Sequence, residues 1–169
     1  VSFGLAGKLP LVGAGFLVEQ DVLPAQGDAA LGVKSGLHWA LTLDNAVNKK
    51  FIEDYKKRTT KEANVFAVQG YDTARLIVDS VNAVQGNTKD KAKWIEAIGG
   101  VSFDGPRGKF KMDPKTNNVV QPIYARDVQK VGGTLQNVVI KNFGEIADPG
   151  DDSKGYLADS ISRIADGIS

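Results

Sequence analysis

The 169-residue chain balances 21 Lys and Arg against 20 Asp and Glu, a formal charge of +1, so no strong field draws it toward nucleic acid or an anionic membrane. Its 42% apolar and 24% charged residues are ordinary globular composition, and the length suffices for one domain with a real core. Cysteine is absent, which removes disulfides, thiolate nucleophiles and thiolate metal sites and leaves the compartment open.

No apolar run approaches the roughly 18 to 20 residues of a membrane span, and no basic-then-apolar signal peptide opens the chain. The opening VSFGLAGKLPLVGAG reads as the end of one element running into a buried strand, as if cut from something longer. Leu9 to Val12, bounded by Gly7, Gly13 and Gly15, is expected to be that short buried strand, followed by a loop that a ligand can approach closely. Leu31 to Leu41 is a second strand candidate, weakened by Gly32 and Gly36, and is the candidate crossing between lobes.

Asp44 is expected to cap a helix with Val47, Phe51, Ile52 and Tyr55 on one face and a solvated set of Lys49, Lys50, Glu53, Asp54, Lys56 and Lys57 on the other. A second helix is expected to start tightly at Gly70-Tyr71-Asp72, to bury the stripe Ala74, Ile77, Val78, Val81 and Val84, and to stop at Gly86. A third opens at Asn87 with Asp90 in its first turn, packs Trp94, Ile95 and Ile98, and stops at Gly99 and Gly100. From Gly108 the period changes to that of strands: Lys109 to Met112, then Val119 to Val128 and Thr134 to Phe143 as a hairpin. Asp148 to Ser153 reads as a linker, followed by an amphipathic helix with Leu157, Ile161, Ile164 and Ile168 as a stripe that must bury against something.

The residues of enzyme chemistry are largely missing. His38 is the sole histidine, on a glycine-flanked apolar stretch, and a nucleophile without a base beside it does not hydrolyse. No two His or Cys stand at zinc-ligand spacing, and DPGDDSKG lacks the ordered alternation and distal Glu of a calcium loop. Gly13 to Gly15 follows a strand like the start of a dinucleotide fingerprint, but Val18 and Glu19 stand where the third Gly belongs, and no GKS or GKT cradles a phosphate. We therefore expect no catalytic residue, no metal and no cofactor. What remains is Gly15, Phe16, His38, Trp39 and Tyr71, a set suited to a cleft that holds a small organic molecule by stacking and a few directed hydrogen bonds. Each of the aromatics taken singly is equally well a packing residue.

The ordered segments PLVGAG, GDAALGV, LDNAVNKKFIEDYKK, QGYDTARL and SFDGPRGKFKMDPKTNNVVQPIYARDV, from Lys8 to Ile146, resemble the leucine/isoleucine/valine-type periplasmic binding family. The resemblance implies an α/β fold of the type I periplasmic-binding-protein kind, two Rossmann-like lobes joined by hinge crossings, of which this chain is a C-terminal portion. On that basis residues 1–36 belong to the second lobe, 37–146 carry a hinge crossing, helices and a returning hairpin, and 147–169 form a linker and terminal helix. It implies a periplasmic receptor that closes on a small-molecule ligand without altering it and is read by an ABC permease in the membrane. The partners implied are that ligand, that permease, and the absent N-terminal half or a second copy, with no nucleic acid.

Carried over residue by residue, Gly15 is similar to the position where amino-acid binders place an acidic residue for the ligand ammonium. Tyr71 resembles the cleft tyrosine of the long helix, and His38 and Trp39 fall near a hinge crossing. The glycine at position 15, with Phe16 next to it, favours a ligand without a cationic amine. The VVQPIYARDV hairpin resembles the branch that binds hydroxybenzoates and cinnamates, so aromatic carboxylates rank first and branched-chain or other amino acids second. A ligand-sensing regulator or receptor domain of the same fold stays open as a different class.

Overall fold

Residues 8–148 are described by the computed structural model. The order of elements is β1 (Val12–Ala14), a 3-10 turn at Gly15–Val18, α1 (Leu23–Gln26), a second such turn at Gly27–Ala30, β2 (Lys34–Leu37), α2 (Ala46–Thr59), α3 (Val65–Ala83), α4 (Lys91–Gly99), β3 (Ser102–Gly105), β4 (Gly108–Met112), β5 (Val119–Val131) and β6 (Thr134–Ile146). The expected terminal helix, and all but the first residue of its linker, lie outside the described residues.

The short strand near the start sits later than the apolar run that suggested it. Leu9, Leu11 and Val12 are 61%, 53% and 49% exposed, because β1 pairs only with β2 and forms the sheet's edge among the described residues. Likewise the Leu31 to Leu41 run yields only the four residues of β2, since Gly32 holds a left-handed φ of 77° just before it.

Helix starts shift by a residue or more from the sequence reading. Asn45, in extended backbone, caps α2 by accepting from the Asn48 N–H at 2.7 Å, while the exposed Asp44 pairs with Lys49 instead. Asn64 caps α3 through the Ala67 N–H at 3.0 Å, so Gly70-Tyr71-Asp72 lies inside the helix and not at its start. Asp90 is itself the cap of α4, which therefore starts after the expected opening at Asn87. The stops are as read: Gly86 has a φ of 81° after α3, and α4 ends at Gly99.

The long helix buries a different face from the expected one. Val65, Val68, Asp72 and Ser80 are buried, whereas Ile77 and Val78 are 49% and 55% exposed. Periodicity located an apolar stripe, but the face carrying Asp72 is the one that meets the rest of the molecule. The strand β3 went unread because SFDG offers only one apolar residue; Phe103 alone points inward and stacks on Phe110 of β4, centroids 4.5 Å apart.

Strand β5 organises everything else. Its opening residues Val119 and Val120 pair with β4, Tyr124 to Asp127 pair with β2, and Gln121 to Val131 pair with β6 in the expected hairpin. All of these ladders are antiparallel; β1 and β2 are parallel. Three apolar cores result: Leu37, Trp39, Phe51, Val65 and Val68 between the helices and the segment at the end of β2; Val18, Leu23, Val33 and Val128 beneath α1; and Val101, Phe103 and Phe110 under the β3–β4 hairpin.

Candidate ligand-binding site

The β1 strand ends at Ala14 and turns at once into the Gly15–Val18 segment, which presents Phe16 at the surface. Phe16 is 50% exposed and stacks on Phe66 of α3, itself 55% exposed, with ring centroids 5.9 Å apart and planes inclined by 24°. An exposed, near-parallel pair of phenyl rings is apolar surface that a ligand ring can cover by stacking. Phe66 had no sequence signal beyond being one aromatic in a helix; only the fold brings it to Phe16.

Gly15 is buried behind this pair. A β-carbon there meets Leu37 Cβ at 2.6 Å, Leu37 Cδ1 at 2.7 Å and Arg126 Nη2 at 2.9 Å, so the backbone approach requires glycine. Its carbonyl accepts from Arg126 Nη2 at 2.9 Å. Arg126 is wholly buried: Nε and Nη2 donate to Ser35 Oγ at 3.2 and 3.1 Å, and Nη1 donates to the Trp39 carbonyl and to Glu19 Oε2, both at 3.0 Å. The other Glu19 oxygen accepts from the Val65 N–H at the first turn of α3, 3.3 Å. Burial lowers the Arg126 pKa, and Glu19 pulls it back up.

The remaining expected site residues separate. Trp39 is a core residue: it is fully buried, with its indole N–H donating to Asn48 Oδ1 at 2.8 Å, which leaves no face for a ligand. Tyr71 is 37% exposed and meets Phe51 edge-on at 5.4 Å. His38, at the end of β2, is 9% exposed, and its Nε2 has no hydrogen-bond partner among the described residues. Burial first, then the charges of Arg107 and Arg126, hold its pKa down at about 3, so it is neutral near neutral pH. Each of these guanidinium groups is paired with a buried carboxylate, Arg107 with Asp72 and Arg126 with Glu19, so the two pairs together carry no net charge.

The second guanidinium was also missed by sequence reasoning. Arg107 donates through Nε to Asp72 Oδ2 at 2.5 Å and through Nη1 to Gln121 Oε1, and its carbonyl accepts from the Tyr124 hydroxyl at 2.7 Å. Burial pushes the Asp72 carboxyl above its usual value while Arg107 pulls it down. A mostly apolar depression of about 300 Å³ on the sheet is lined by Val12, Ala14, Gly36, Ala125 and Phe143 among others, and contains none of the five expected site residues. No three His, Cys, Asp or Glu among the described residues are grouped to hold a metal, and no helix of these residues is long and apolar enough to cross a membrane.

A family model described as periplasmic binding protein matches residues 2–133. The chain belongs to this family. The Leu/Ile/Val-binding protein homolog 6 of Brucella abortus is 36% identical over 145 residues, 84% of this chain. The chain spans 37% of that relative's length. Among solved structures, a solute-binding protein of an ABC transporter from Rhodopseudomonas palustris HaA2, in complex with p-hydroxybenzoic acid, superposes with a TM-score of 0.83 at 35% identity, covering 90% of this chain and 42% of that one. A second from R. palustris BisB5, in complex with 3,4-dihydroxybenzoic acid, gives a TM-score of 0.81 at 35% identity, covering 88% and 41%. These members of the periplasmic binding protein family are α/β proteins of the type I fold, and this chain has the architecture of the matching part.

Proposed function

We propose that the chain is part of the extracytoplasmic solute-binding component of an ABC importer, and that Phe16 and Phe66 form one wall of a cleft for an aromatic carboxylate. The observation that carries this is the half-exposed stacked ring pair beside the glycine-only position 15. A benzoate ring laid on the pair gains stacking and apolar burial, about 0.5–1.5 kcal/mol beyond area alone. The hydroxybenzoate complexes of the two R. palustris proteins support the same class.

Tyr71 and His38 are proposed as further contributors from the helix and from the crossing at the end of β2. The crossing segment from residue 37 and strand β5 are the proposed passages between lobes, whose closure traps the ligand without chemistry. The loaded receptor, in the periplasm, is then read by a permease in the membrane.

A second reading is a branched-chain amino-acid receptor, which the name of the Brucella relative favours. Calorimetry on the receptor with 4-hydroxybenzoate, benzoate and leucine decides between them. Binding of the aromatic acids alone is the expected result; tight leucine binding with no aromatic binding overturns the first reading.

A further inference from the structure

Phe16 and Phe66 belong to segments far apart in the chain, yet each is tied from behind to the same buried ion pair. Phe16 follows Gly15, whose carbonyl accepts from Arg126 Nη2 at 2.9 Å. Phe66 follows Val65, whose N–H donates to Glu19 Oε1 at 3.3 Å. Arg126 and Glu19 are joined at 3.0 Å, with side chains 0% and 3% exposed. A continuous bonded path therefore runs from the Gly15 carbonyl through the guanidinium and the carboxylate to the first turn of α3.

The guanidinium has little freedom to move along this path. Ser35 Oγ takes Nε and Nη2, and the Trp39 carbonyl shares Nη1 with Glu19, so the planar fork is fixed against β2 as well as its own strand β5. A buried ion pair contributes little to stability over an apolar pair of similar volume, because desolvation offsets the Coulombic gain. What an apolar pair cannot supply is the directional tie to the Gly15 carbonyl and the Val65 N–H.

We infer that Arg126 and Glu19 are positioning residues that set the separation and tilt of Phe16 and Phe66, and so tune the ring pair for a flat aromatic ligand over a branched aliphatic one. This rests on the aromatic-acid reading for its consequence in binding, but not for its geometry. The relay links backbone atoms adjacent to both rings, so loosening it moves the rings relative to each other even when neither is changed.

The test compares the wild-type receptor with Arg126→Lys, the apolar double variant Glu19→Met/Arg126→Met, and Ser35→Ala, the last removing two guanidinium contacts without unpairing a charge. Nuclear Overhauser contacts between labelled Phe16 and Phe66 rings are read in the ligand-free protein, and affinity for 4-hydroxybenzoate by calorimetry. The expected result is a folded double variant whose ring contacts weaken and whose affinity for 4-hydroxybenzoate falls about tenfold, the scale of a lost aromatic contact. Unchanged ring contacts in every folded variant overturn the inference. So does unfolding of all three, Ser35→Ala included, which makes the pair a folding element alone. A wild-type receptor that binds no aromatic acid sinks the functional reading instead, and the ring contacts of the free protein still decide the positioning role.

Discussion

Asp72 of α3 and Arg107 of the β3–β4 turn form an ion pair at 2.5 Å with side chains only 1% and 6% exposed. It joins the long helix to the hairpin that caps it, and Gly105 lies so close that a β-carbon there meets Asp72 Oδ1 at 2.8 Å. Asp72→Ala leaves a buried cation without its partner and is expected to cost about 3–5 kcal/mol, read as a lower urea midpoint at an unchanged slope. Arg107→Met with Asp72→Leu should recover most of that loss, which a role other than ion pairing does not explain.

Phe16→Ala and Phe66→Ala test the ring wall directly. Each ring is half exposed, so removing it costs the fold little, while a ligand ring loses its stacking partner. The expected outcome is a near-wild-type melting temperature and a fall of about tenfold or more in affinity for 4-hydroxybenzoate by calorimetry. Leucine at either position should recover part of the affinity through area alone.

Gly15→Ala places a methyl group 2.6 Å from Leu37 Cβ. Overpacking of this kind costs about 1–3 kcal/mol, and here the strain falls on the Gly15 carbonyl that Arg126 holds. Thermal unfolding and the affinity for benzoate should both suffer, whereas Gly36→Ala, where a β-carbon meets nothing, should leave both close to wild type.

His38 gives the fold an acid sensitivity whose direction follows from its pKa, lowered from 6.5 to about 3 chiefly by burial. The unfolded chain binds a proton at His38 as pH falls below 6.5, and the folded chain does not until about pH 3. Its contribution is complete above the unfolded value and is lost as pH falls toward the folded one, at a slope approaching about 1.4 kcal/mol per pH unit. Denaturant titrations between these limits should show the loss, and His38→Gln should flatten that part of the profile.

The β5–β6 hairpin and the glycine stops of α3 and α4 could be read from the sequence because turn chemistry and alternation are local. Two helix caps were displaced because DN and NTKD each offer more than one capping side chain, and only backbone geometry selects Asn45 and Asp90, while the long helix starts at Asn64, ahead of the Gly70-Tyr71-Asp72 expected to open it. The exposed Ile77 and Val78 show a different limit: a period defines a stripe, but what lies against it decides whether that stripe is covered. Of the expected site residues, Phe16 stands in the exposed ring pair with Phe66, and Trp39 lies in the core with its indole on Asn48. Phe66, Glu19 and Arg126 were invisible because their meaning lies in contacts between distant segments, which no window of sequence contains.

Strand β5 serves β4 at its first residues and β2 further along, and its ladder with β6 is interrupted around Ile123, opposite the left-handed Gly144. Its preceding residue, Pro122, has no N–H to give to a ladder. The β4 and β2 ends of the sheet are thereby carried on one strand, and the irregular rungs between Pro122 and Tyr124 add local twist between them.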